Sequence, residues 1–144
     1  PPSAPEEGEP APAEPMPGEQ LGPLLVTFKR LLGERVANVR ASDRLVESPA
    51  RLVDADGAVN AEMQRVYKLL DREFTAPQKV LELNPRHPLL RSLAGLPESD
   101  PLLATCVEQI FDSALLLEGL HPDPAAMIPR IEELMQAAAR GPRP

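Results

Sequence analysis

Apolar side chains fall at helical spacing in some stretches of this chain and at strand spacing in others. Leu24, Phe28, Leu31 and Leu32 share one side of a helix over 24–34, with Pro23 suited to its first position and Gly33 to its end. From Val36 the period drops to two, which predicts a half-buried strand: Ala37, Val39, Ala41 and Leu45 on one face, Asn38, Arg40, Ser42 and Arg44 on the other. Ser48-Pro49 turns the chain into a second strand over 50–53, and the composition of residues 54–57 reads as a turn. A helix follows over 58–74, with Val59, Met63, Val66, Tyr67 and Leu70 on one face and Pro77 beyond its end. Residues 79–83 read as a third strand, and Pro88 opens a short helix over 89–94. Asp100-Pro101 pairs an N-cap with a first-turn proline. Helix, two strands, helix, strand and further helices predict an α+β domain with a small antiparallel three-stranded sheet.

The chain then closes on a helical hairpin. Leu103, Val107, Ile110, Ala114 and Leu117 recur at steps of four, three, four and three. Pro124, Ile128, Ile131, Met135 and Ala138 repeat those steps, and Met127 and Leu134 widen the apolar side. Residues 119–123 form a loop short enough to return the second helix antiparallel to the first. Leu102, Cys106, Leu115 and Leu116 lie off the seam, so the first helix is apolar over more than half its circumference. The pattern admits two covers for the surplus: a single monomeric core, or a second copy completing a four-helix bundle. Burying about six Leu-sized side chains at roughly 1.5–3 kcal/mol each is enough to offset an association cost of about 4–15 kcal/mol.

Composition divides the chain. Residues 1–23 hold eight of the 19 prolines, five glutamates and no Lys or Arg, and are expected to form an acidic disordered linker over 1–22 ahead of a domain over 23–140, with a disordered tail over 141–144. All 15 basic residues and 17 acidic ones follow, so the body is near neutral, and with no Trp it is expected to bind no nucleic acid. A lone cysteine permits no internal disulfide, and no apolar run is long enough for a membrane span, which makes the cytoplasm the expected compartment. An opening without Met implies a piece of a longer chain.

Leu31-Leu-Gly-Glu-Arg-Val36, Val39-Arg-Ala-Ser-Asp-Arg-Leu45, Ser48-Pro49-Ala50 and above all Leu81-Glu-Leu-Asn-Pro-Arg-His-Pro88 resemble the C-terminal dimerisation domain of the ninety-kilodalton heat-shock protein (heat-shock protein 90) chaperones, of the bacterial HtpG type. The resemblance covers about 23–135. It implies a homodimer held by a four-helix bundle, with Leu103, Val107, Ile110, Ala114, Leu117, Ile128, Ile131, Leu134, Met135 and Ala138 at the interface. It also implies that Val59, Met63, Val66 and Tyr67 contact unfolded or partly folded client proteins, Met being an adaptable side chain for many partners. ATP and magnesium are implied for the full-length chaperone but not for this piece, which lacks a Gly-rich phosphate loop. Val59 stands where the family often has Met. Pro129 falls where it removes a donor unless the last helix starts late or kinks. The ending Gly-Pro-Arg-Pro lacks the acidic peptide of eukaryotic relatives, which implies a bacterial source.

Catalytic chemistry finds no footing in the residues. His87, Cys106 and His121 are spaced 19 and 15 apart, which matches no ligand motif. His87 is expected to cap a helix, His121 to sit in a loop and Cys106 to be a small core side chain. Glu132 and Glu133 belong to a solvated face. A free-standing adaptor whose hairpin binds a foreign amphipathic helix is the competing function.

Overall fold

The structure is a computed structural model that describes residues 14–44, 47–55 and 79–141. Helix α1 (Gly18–Leu32) leads through a 3-10 turn (Gly33–Arg35) to strand β1 (Asn38–Ala41) and then β2 (Ala50–Val53). Strand β3 (Val80–Leu83), helix α2 (Pro88–Ala94) and helix α3 (Pro101–Leu117) follow. A second 3-10 turn (Pro124–Met127) runs into helix α4 (Ile128–Arg140). The expected helix over 58–74, with Val59, Met63, Val66 and Tyr67, lies outside the described residues.

The α+β class holds, but the sheet is mixed where an all-antiparallel one is expected. Its order is β1-β3-β2, with β1 parallel and β2 antiparallel to β3. The reason is burial. Only β3 has all four residues buried, so the most apolar strand takes the centre and the arginine-bearing strands become edges. Val39, Leu81 and Leu52 stand in register on the side that meets α1 and α3, and with Phe28, Leu32, Leu83, Leu90 and Val107 they make one core. On the opposite side the register Arg40, Glu82, Arg51 puts a carboxylate in the middle strand between two guanidinium groups. Arg40 Nε donates to it at 2.9 Å and Arg51 Nε at 3.2 Å. Glu82 is only 8% exposed, and two charged donors let it stay there.

The first strand is shorter than its alternating pattern. Val39 is buried as expected, but Ala37 and Ala41 are exposed, while Ser42, expected outside, is buried. The strand ends at Ala41, and Ser42 turns in with its N–H donating to the Leu83 carbonyl at 2.7 Å.

Described residues ahead of the domain start expected at 23 also contact the domain. Met16 is buried, its N–H donates to the Pro85 carbonyl at 2.8 Å, and Arg91 donates to the Glu14 carbonyl. One apolar side chain and these two bonds hold residues 14–16 on the domain. Helix α1 starts at Gly18, where the amides of Gln20 and Leu21 both reach the Pro17 carbonyl, so Pro23 lies inside the helix and not at its first position. Gly33, with φ 59°, ends α1 as expected.

The punctuation in the second half behaves as the residues suggest. His87 Nδ1 accepts from the Leu89 N–H at 3.1 Å and Asp100 Oδ1 from the Leu102 N–H at 2.9 Å, each ahead of a first-turn proline. At the other end of α3, Gly119 adopts φ 69°. Its N–H donates to the Leu116 carbonyl and the next amide, Leu120, to Leu115, a paired bonding pattern that needs a left-handed residue. Pro129 causes no break, because α4 begins late. The turn Pro124–Met127 is 3-10, and Pro129 stands second in the α-helix, where the amide it lacks would have no partner in any case.

Candidate functional site

The hairpin carries most of the large apolar side chains exposed among the described residues. Among the described residues seven large hydrophobic side chains are exposed, and five of them, Leu116, Leu117, Leu120, Ile128 and Met135, belong to it. Singly exposed apolar residues are ordinary; a cluster on one substructure marks a contact surface.

The hairpin divides its seam residues between the core and the surface, a choice the heptad spacing leaves open. Leu103, Val107, Ile110 and Ala114 are expected to face a second copy, yet all four are no more than 5% exposed and belong to the core of this one chain. The helix that carries them packs against β2 and α1. Their burial follows from the breadth of the apolar side of α3. Its most continuous stripe goes to the largest neighbour available, the sheet, and the margin remains for anything else. Leu117, the last seam residue, projects past the sheet and is 68% exposed. In α4 the expected stripe is present and uncovered: Ile128 is 52% and Met135 59% exposed, Ala138 is exposed, and Ile131 and Leu134 are half-buried on the side toward α3. No residue of α4 is buried.

Polar contacts set how α4 lies on α3. Arg130 donates to Asp112 Oδ2, and His121 Nε2 lies 3.3 Å from Asp112 Oδ1. Gln109 Nε2 reaches Ser113 Oγ at 3.2 Å and the Met127 sulfur at 3.7 Å. Sequence spacing does not reveal these pairs, since Asp112 and Arg130 meet only because the loop reverses the chain between them. His121 is a loop residue, as expected, but its side chain is 8% exposed. Farther along α3, Arg35 bridges from the turn after α1 to Glu108 at 2.6 Å and stands 5.6 Å over the Phe111 ring. The hydrogen bond to Glu108 raises the Arg35 pKa; partial burial opposes this, and the charges of Glu108 and Asp112 add to the rise. Arg35 thus remains a cation at every working pH.

Cys106 is partly exposed on α3. Burial pushes its thiol pKa up and the Asp100 carboxylate adds to the rise, both disfavouring the reactive thiolate. At pH 7 Cys106 is therefore expected to react with a maleimide several-fold more slowly in the folded chain than in urea. Equal rates would contradict this. Among the described residues no three His, Cys, Asp or Glu side chains are gathered so as to hold a metal ion. No described helix is long and apolar enough to cross a membrane.

Residues 7–142 match the family described as Hsp90 protein. The chain is 44% identical over 121 residues to the chaperone protein HtpG of Oleidesulfovibrio alaskensis, covering 82% of this chain and 19% of that one. It is 40% identical over 128 residues to the chaperone protein HtpG of Chlorobium phaeovibrioides, covering 87% and 20%. With the chaperone protein HtpG of Psychrobacter cryohalolentis it shares 37% over 118 residues, covering 81% and 18%. An α+β chain with this sequence match belongs to the Hsp90 family. It spans about a fifth of the length of the relatives it matches.

Proposed function

We propose that this chain is the C-terminal dimerisation domain of a bacterial Hsp90-family chaperone, a non-enzymatic module that joins two protomers through the α3–α4 hairpin. The observation that carries the reading is α4, a helix with an apolar stripe along Ile128, Ile131, Met135 and Ala138 and no buried residue. A second hairpin laid against the first would cover this stripe with the ends of α3, giving a four-helix bundle of two helices from each copy. The interface under this reading is Leu117, Ile128, Ile131, Leu134, Met135 and Ala138, joined by Leu116 and Leu120. Leu103, Val107, Ile110 and Ala114 stand behind it as the core that holds α3 in place. The chaperone role follows the relatives, which bear that name. ATP and magnesium chemistry belongs, under this reading, to other parts of the parent chain, and the compartment is the cytoplasm.

Sedimentation tests the proposal directly. The chain is expected to pass with rising concentration to a species of twice its 15.6 kDa. A monomer at every concentration up to the solubility limit overturns it and leaves the adaptor reading, in which the hairpin takes a foreign amphipathic helix.

Client contact is proposed for the stretch over 58–74, through Val59, Met63, Val66 and Tyr67. Its support is the resemblance to the family, in which the matching helix meets clients, together with the adaptability of Met; the spacing alone fits core packing equally. The expected result is that Met63→Ser lowers crosslinking to an unfolded client while leaving the unfolding midpoint unchanged. Client capture equal to that of the parent chain would count against this site.

A further inference from the structure

The last helix stays on the domain with little apolar help. A 13-residue helix alone in water is marginal, and none of the residues in α4 is buried. Beside the half-buried Ile131 and Leu134, the groups that tie it down are polar and converge on one carboxylate. Asp112 on α3 is 17% exposed at its side chain; Oδ2 accepts from Arg130 of α4 and Oδ1 faces His121 Nε2 of the loop at 3.3 Å. His121 Nδ1 accepts the Asp123 backbone N–H at 3.1 Å, which holds the ring in the loop with Nε2 on the side of Asp112. Gln109, one turn back on α3, presents Oε1 to Arg130 Nη1 at 3.5 Å.

We infer that Asp112, Arg130 and His121 form a clasp that sets the angle of α4 on α3 inside a single chain and so presents the apolar stripe of α4 before a partner arrives. They are positioning residues for the self-association proposed above, and the inference rests on that reading. The clasp joins all three parts of the hairpin, and its side chains are 8–29% exposed, so water and salt weaken it less than an open surface pair. Because the clasp contacts are made within one chain, a partner has less ordering left to impose on α4, and association is stronger by that amount.

The test uses Asp112→Asn, which keeps the side-chain shape, Arg130→Gln, and the exchanged pair Asp112→Arg with Arg130→Asp. Dimer dissociation constants come from sedimentation and amide hydrogen exchange is followed along the chain. Each single variant is expected to raise the dissociation constant by about tenfold or more and to speed exchange in α4 while α1, β3 and α3 keep their protection. The exchanged pair should recover part of both losses. Single variants that dimerise and exchange like the parent overturn the clasp, as does loss of protection throughout the domain. If the parent itself is a monomer, the dimer reading falls and the clasp is still decided by exchange: faster α4 exchange in the variants supports it, and unchanged α4 exchange overturns it.

Discussion

Replacing Phe28 with alanine is expected to remove about 3–5 kcal/mol of stability, a large share of the roughly 5–15 kcal/mol that a domain of this kind has in total. Phe28 is fully buried where α1 crosses the sheet, in a core shared with Leu32, Val36, Leu81, Leu83 and Val107. Truncation leaves a cavity ringed by side chains from three elements, and a sheet clamped between two edge ion pairs has little room to collapse into it. Urea unfolding followed by circular dichroism should show a much lower midpoint with an unchanged slope. Val26, two residues earlier and 67% exposed, is the control: Val26→Ser should fall within about 0.5 kcal/mol of the parent. Equal midpoints for Phe28→Ala and Val26→Ser would mean that α1 does not pack as described.

The second large effect is expected in association and not in folding. Ile128 and Met135 lie seven residues apart on the exposed side of α4. In the single chain a glutamate at either position would point into water, so Ile128→Glu with Met135→Glu should leave the unfolding midpoint nearly unchanged. A two-fold interface repeats each substitution, so four carboxylates would be taken out of water beside one another. The dimer dissociation constant should rise by at least about a hundredfold, the size of effect that a few kcal/mol per desolvated charge produces. Val107→Ala makes the opposite case. Val107 is fully buried within one chain, so it should lower stability and touch association only through that loss. If instead Val107→Ala breaks the dimer at constant stability, or the double glutamate variant dimerises like the parent, then the partner does not sit on α4.

These two experiments separate faces of α3 that the heptad spacing runs together. Leu103, Val107, Ile110 and Ala114 form a regular stripe, and regularity reads equally well as a seam between copies or as a core stripe. What distinguishes them is the sheet lying alongside, which depends on β2 and α1 being brought there by pairings far apart in the sequence. The strand order has the same origin. A link of eight residues between β1 and β2 suggests neighbours, yet β3 lies between them, because a strand buried on both faces gains most from the central place. Glu82 reads in the sequence as a break in the apolar run of β3; Arg40 and Arg51 on either side turn it into a satisfied ion triad.

Local chemistry was sufficient for several helix ends, though not for Pro23, which lies inside α1. The caps by His87 and Asp100, the prolines that follow them and the left-handed Gly33 each depend on atoms within a few residues, so residue type specifies them. Which stripe of α3 turns inward, where β3 inserts, how Met16 finds a slot in the core and how Asp112 gathers Arg130 and His121 all depend on surfaces meeting across long separations. Period and composition say which residues share a side; only the assembled domain decides what that side rests against, because burial is settled by the competition among all the faces at once.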